Sequence, residues 1–158
     1  MCSETHPSPA QGSTGSEESP SILSHVSLGT NQFEQAVAFY DAVLATLGYQ
    51  RLMDYPDAVA YGKVYPEFWV QVPIDGRPAN VGNGSHIGFI APTKEAVHAF
   101  YESALQAGGQ DDGAPGPRPD YGDPYYGCFV RDLDGHKIEA TFWDFALDQP
   151  EAQSPAAG

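Results

Sequence analysis

Positive charge is scarce in this chain: seven Lys and Arg stand against 21 Asp and Glu, a net charge of −14. That balance argues against nucleic acid, whose affinity is dominated by cation–phosphate contacts, and against a polybasic membrane-surface site. Cysteine is scarce too. Only Cys2 and Cys128 are present, so there is no disulfide framework and no zinc pattern, and a reducing compartment is expected. No apolar run is long enough to span a bilayer, and the N-terminus lacks an apolar signal core. The expectation is a soluble, cytoplasmic protein whose partner is a small molecule, not nucleic acid or membrane.

What is present suffices for one domain. The chain has 158 residues, 41% of them hydrophobic and 12% aromatic, enough to bury a core. Residues 1–21 are dominated by Ser, Pro, Glu, Gly and Thr, with too little apolar surface to offset ordering entropy, and are expected to form a disordered tail. Residues 146–158 look alike. The domain is therefore expected at 22–145.

Within it one stretch occurs twice. Ser24-His25-Val26-Ser27-Leu28 is matched by Ser85-His86-Ile87-Gly88-Phe89, an offset of 61 residues (25 to 86). The same offset carries Phe39-Tyr40 to Phe100-Tyr101, Leu44 to Leu105 and Gly48 to Gly109. Each copy is a short alternating run led by His, then a helical run closed by glycine. The repeat predicts one supersecondary unit used twice, over about 22–73 and 85–144.

The first unit opens with a strand, Leu23–Gly29. Thr30 or Asn31 is in place to cap the helix that follows, whose apolar stripe is Phe33, Ala36, Val37, Tyr40, Val43, Leu44 and Leu47. Gly48 stops it. Tyr49–Tyr55 and Ala58–Gly62 read as strands joined at Pro56-Asp57, and Phe68–Val72 as a third. Residues 73–84 form a linking loop. The second unit repeats the order: strand Ser85–Ile90, then a helix capped by Thr93 and running to Gln106. Its buried side is Ala96, Val97, Phe100, Ala104 and Leu105. Asp111–Asp123, rich in Asp, Gly and Pro, is expected to be an irregular loop near a site. Tyr125–Arg131 and His136–Trp143 read as a hairpin turning at Asp134-Gly135. The fold class is α+β: two βαβββ units forming a curved half-barrel sheet around a cavity, helices outside.

Strand parity nominates the residues of the open faces. If Val26 and Leu28 face the helix, His25 faces the cavity; if Ile87 and Phe89 do, so does His86. By the same alternation Glu139 lies on the open side with Lys137 and Thr141, and Gln71 with Trp69. Two imidazoles, a carboxylate and an amide oxygen suit a divalent first-row metal; two His and one carboxylate are also the non-heme Fe(II) set. Tyr121, Tyr125 and Tyr126 follow the long loop as candidate pocket walls, and Arg118 is a candidate anion contact. His98 and His136 read as solvated, and Asp132 and Asp134 as turn residues.

These motifs, with Ala-Phe-Tyr-Asp-Ala-Val-Leu at 38–44 and the ending Phe129-Val130-Arg131-Asp132-Leu133-Asp134-Gly135-His136-Lys137-Ile138-Glu139, resemble the vicinal oxygen chelate superfamily. This is the group of glyoxalase I, bleomycin- and fosfomycin-resistance proteins and extradiol dioxygenases. The resemblance covers about 22–144 and implies metal ligands at His25, Gln71, His86 and Glu139. The metal would be a divalent ion: Ni, Zn, Co, Mn or Fe. It implies a glyoxalase-like lyase or isomerase acting on vicinal oxygens, with Glu139 moving a proton and Trp69, Tyr121, Tyr126 and Arg118 around the substrate. A metal-free resistance-type binding protein and an Fe(II) extradiol-type dioxygenase are the alternatives. Where glyoxalase I carries arginines for glutathione, this chain has Gly29 and Gly82, so glutathione dependence is not implied. The two units of this fold pair within a chain or between two chains, and a homodimer is the expectation.

Overall fold

The computed structural model describes residues 21–148. Two βαβββ units follow one another, as the repeat predicts. The first holds β1 (Val26–Gly29), α1 (Phe33–Ala45), β2 (Gln50–Tyr55), β3 (Ala58–Gly62) and β4 (Phe68–Gln71). The second holds β5 (His86–Ile90), α2 (Lys94–Gln106), β6 (Gln110–Pro117), β7 (Tyr125–Arg131) and β8 (Lys137–Trp143). Each unit builds a four-stranded sheet, ordered β1-β4-β3-β2 and β5-β8-β7-β6. In both, the first strand runs parallel to the last, and the other pairings are antiparallel. β1 and β5 are sheet edges, and no strand pairing joins the two sheets.

The helix signals act locally. Thr93 caps α2, its hydroxyl accepting from the Ala96 N–H at 3.1 Å. In α1 the N-cap is Gln32, without a side-chain cap bond. Thr30 or Asn31 was the expected cap; the Thr30 oxygen accepts from the Gln32 N–H at 3.1 Å and its hydroxyl donates to Asp134 at 2.5 Å, while Asn31 Nδ2 donates to the Ala79 carbonyl at 2.9 Å. Gly48 has φ of 81°, a left-handed turn that any side chain would strain.

Other expectations are corrected. Residues 110–117, placed mostly in a loop, form β6, an edge strand whose pairing with β7 slips at Asp111/Gly113 and Gly113/Gly116. An edge tolerates Pro115 and Pro117 because one side of the ladder has no partner to lose, and bulges absorb the glycines. Residues 118–123 hold a 3-10 turn at Pro119–Tyr121. Leu105, expected to be buried, is 39% exposed. Residues 146–148, placed in a tail, belong to a 3-10 turn at Phe145–Asp148. The rest of both expected tails, 1–20 and 149–158, lies outside the described residues.

α1 and α2 pack on each other, and both sheets share one core with them. Tyr40, Val43 and Leu44 from α1 meet Val97, Phe100 and Ala104 from α2 in that core. Phe68 of the first sheet and Phe89 of the second meet edge to face at 4.9 Å, a favoured aromatic geometry. A polar clamp also ties the units. Asp132, only 6% exposed, accepts from the Tyr40 hydroxyl at 2.5 Å and from the His136 and Asp134 N–H groups at 2.8 and 3.0 Å. Asp134 accepts from Thr30 and from the Asn31 N–H. His136, read as solvated, is buried, its Nε2 2.7 Å from the Gly29 carbonyl. The hairpin turn of the second unit thus accepts from the Asn31 N–H just before α1.

Candidate functional site

The second sheet turns one face to α2 and leaves the other open. Cys128, Val130, Ile138 and Ala140 point into the core, each fully buried. Alternation therefore puts Tyr125, Gly127, Phe129 and Arg131 of β7 on the open face, with Lys137, Glu139, Thr141 and Trp143 of β8. His86 begins β5 on the same face.

Glu139 is the centre of this face and is 8% exposed. Its Oε1 accepts from the Tyr125 hydroxyl at 2.6 Å, and its Oε2 lies 3.2 Å from His86 Nε2. Two glycines make the arrangement sterically feasible. A Cβ at Gly88 would lie 3.1 Å from Glu139 Oε2, and one at Gly127 only 2.3 Å from the Tyr125 oxygen. Burial, then the hydrogen bond to Glu139 and its charge, push the Tyr125 hydroxyl above its ordinary range; Arg118 opposes this. Tyr125 thus remains an O–H donor at neutral pH.

Over this floor stands a cavity of about 400 Å³, lined by His86, Tyr121, Tyr125, Phe129, Lys137, Glu139 and Trp143. Its rings form a chain: Tyr121 meets Tyr125 edge to face at 5.0 Å, and Tyr125 meets Trp143 at 5.4 Å. Trp143 stacks on Phe145 at 6.4 Å. Tyr121, Trp143 and Phe145 are 56%, 40% and 66% exposed, an apolar patch of the kind that marks a binding surface. Thr141 Oγ1, also on this face, is buried without a hydrogen-bond partner among the described residues.

Of the four expected metal ligands, the structure joins His86 and Glu139. His25 precedes β1 rather than lying in it; it is exposed, with Nδ1 3.0 Å from Ser24 Oγ. With His86 it lines a different cleft, of about 360 Å³, walled by Tyr61, Phe68 and Phe89. Gln71 ends β4 in the first sheet, opposite Gly29 and Ala58. Among the described residues no three His, Cys, Asp or Glu side chains gather to hold a metal ion. A bound divalent ion needs three or four protein donors. A single chain offers two here, and one Glu139 oxygen already accepts from Tyr125, so its residues do not fit a resident metal.

The remaining candidates divide. Tyr121 lines the cavity. Trp69 is on the first sheet, stacked on Tyr55 at 6.3 Å, its Nε1–H donating to the Pro66 carbonyl at 3.1 Å. Tyr126 turns toward α2, where its hydroxyl lies 2.7 Å from His98 Nε2, so His98 is not simply solvated. Arg118 leans toward the Phe129 ring, 6.0 Å from its centroid. Tyr125, a candidate pocket wall from the sequence, lines the cavity with Tyr121, and the functional-face residues not singled out from the sequence are Phe129 and Trp143. Parity carried that signal, since Tyr125 and Phe129 alternate with helix-facing Tyr126 and Cys128, and Trp143 is in phase with Glu139.

Cys128 is not a nucleophile. Burial, above all, pushes its thiol up to about 12, and its Sγ–H donates to the Val97 carbonyl at 3.6 Å. In a Cys2→Ser background the native protein should not react with a thiol reagent at pH 8, and one thiol should appear on unfolding. Rapid labelling of the native form would contradict this packing.

The family model for the Glyoxalase/Bleomycin resistance protein/Dioxygenase superfamily matches residues 22–140. A solved glyoxalase/bleomycin resistance protein from Albidiferax ferrireducens T118 is 38% identical, with a TM-score of 0.70, over 77% of this chain and 98% of that one. Two others share the fold at 20% identity. A glyoxalase-related enzyme from Fulvimarina pelagi has a TM-score of 0.60, over 76% of this chain and 86% of its own. A lactoylglutathione lyase from Agrobacterium tumefaciens has a TM-score of 0.56, over 78% of this chain and 94% of its own. No functionally curated protein matches the chain.

Proposed function

Because the chain belongs to the Glyoxalase/Bleomycin resistance protein/Dioxygenase superfamily, we propose that it is a small-molecule-binding protein of the resistance type. Its ligand lies on the open face of the second sheet, with no metal ion inside a single chain. One observation carries this reading: Glu139 accepts from Tyr125 and lies 3.2 Å from His86 Nε2 beneath an aromatic-walled cavity. The carboxylate then acts as a fixed anchor beside the Tyr125 hydroxyl and the His86 ring, and the rings supply apolar area with few rotors to freeze.

The test uses a neutral aromatic probe, biphenyl-4-carboxamide, in equilibrium dialysis. Protein stripped with a chelator is expected to bind it with unchanged affinity. Trp143→Ala is expected to weaken it at least ~10-fold, by loss of a buried aromatic contact. Affinity that vanishes with the chelator and returns with one equivalent of metal would overturn this reading.

That outcome would favour a second one, a metal-dependent glyoxalase-like lyase. It is supported by the 3.2 Å approach of His86 to Glu139, and His25 and Gln71 of the first unit are the donors that would remain to be supplied. In a homodimer, the first sheet of one copy set beside the second sheet of another would complete the half-barrel and a four-donor site. A divalent ion there would supply Lewis acidity toward vicinal oxygens, with Glu139 as the proton carrier.

A further inference from the structure

The chain has seven Lys and Arg, and three of them, Arg118, Arg131 and Lys137, converge on one end of the open face. Arg131 and Lys137 share one carboxylate, Asp112, 2.9 Å from Arg131 Nε and 3.5 Å from Lys137 Nζ. One negative charge is thus divided between two cations. Arg118 makes no ion pair among the described residues. Its guanidinium donates to the carbonyls of Ala114 at 2.8 Å and Pro117 at 3.1 Å, which satisfy hydrogen bonds but do not neutralise charge. Phe129 marks the centre of this end: Lys137 Nζ stands 4.6 Å from its ring centroid, Arg118 Cζ 6.0 Å and the His86 ring 6.2 Å.

Arg118 is seated rather than loose. A Cβ at Gly113 would lie 3.2 Å from its Nη2, and one at Gly116 3.3 Å from its Nη1. The glycines of the bulged strand β6 therefore leave the guanidinium its space. Part of the rotamer entropy that an arginine loses on gripping an anion is already lost in the fold. The planar fork keeps donors for a carboxylate, which it matches bidentately.

We infer that the ligand of this face is an aromatic carboxylate, its acid group on Arg118 and Lys137 and its ring among Tyr121, Tyr125 and Trp143. The inference rests on the proposal that this face binds a ligand at all, and adds its chemical class. Glu139 does not select a cation in its place, because it is only 8% exposed and already accepts from the Tyr125 hydroxyl. The net charge of −14 repels an anion at long range, so recognition is short-range pairing at these cations.

The experiment compares biphenyl-4-carboxylate with biphenyl-4-carboxamide by equilibrium dialysis on the full chain. The acid is expected to bind at least ~10-fold more tightly than the amide, from one charge-assisted pair. Arg118→Gln is expected to bring the acid-to-amide ratio to about one, and Arg118→Lys to leave it between the two. Equal affinities in the wild type, or an unchanged ratio in Arg118→Gln, would overturn the inference while leaving the binding proposal standing. Binding of neither probe would overturn both.

Discussion

Gly127→Ala is expected to destabilise the domain by ~2–3 kcal/mol and to weaken binding of an aromatic probe by an order of magnitude. The added methyl would lie 2.3 Å from the Tyr125 oxygen, 2.7 Å from its Cζ and 2.9 Å from the Ala140 carbonyl oxygen. The last of these is backbone in the central strand of the sheet, which cannot retreat. Tyr125 would have to swing off Glu139, leaving a buried carboxylate with one partner fewer. Urea unfolding and dialysis measure both effects. If Tyr125 is the moving part, the double variant with Tyr125→Phe recovers some of the lost stability, a non-additivity that a purely backbone clash would not give. A Gly127→Ala protein as stable as the wild type would show that the Tyr125–Glu139 contact is not built as described.

Asp132→Ala is expected to cost ~3 kcal/mol, because it strands the Tyr40 hydroxyl and two backbone N–H groups inside the protein. Its consequence is wider than its site, since Asp132 joins α1 of the first unit to the closing hairpin of the second. The carboxyl itself sits above its ordinary range, chiefly because burial disfavours the charge; its hydrogen bond from Tyr40 opposes this. The sign follows from linkage. A folded-state value raised above the ordinary 3.8 means the native state holds the proton more tightly. That stabilisation is complete below the ordinary value and disappears as pH rises through the raised one. The stability of the wild type relative to Asp132→Asn should therefore fall from pH 3.5 to pH 7, by urea titration of both proteins. A difference that stays constant or grows with pH would contradict the burial argument.

Much of this architecture was legible in the residues. The His-led repeat at 25 and 86 located both units, and glycine and threonine signals placed α2 and the stop after α1. Tyr125–Arg131 was read to the residue, because an Asp-Gly turn between alternating runs has one simple solution. β6 was not, since Asp-Asp-Gly-Ala-Pro-Gly-Pro lacks every local strand preference and becomes a strand only through pairing with β7 at an edge. The site was legible in part. Parity put His86 and Glu139 on one face, and the structure brings them to 3.2 Å. It also put Gln71 and Trp69 on an equivalent face, but equivalence by repeat is not proximity. Whether two open faces meet is decided by how the units pack, and the two sheets share a core without any strand pairing between them. His136 was misread for a related reason: its partner, the Gly29 carbonyl, is 107 residues away in sequence.

The most direct measurement is a crystal structure of the chelator-treated protein soaked with biphenyl-4-carboxylate. The account predicts density for the rings against Tyr125 and Trp143 and for the carboxylate at Arg118, all within one chain. Density in the cleft beside His25, or a ligand held by a metal between the His86–Glu139 pair of one copy and the His25 of another, would contradict it.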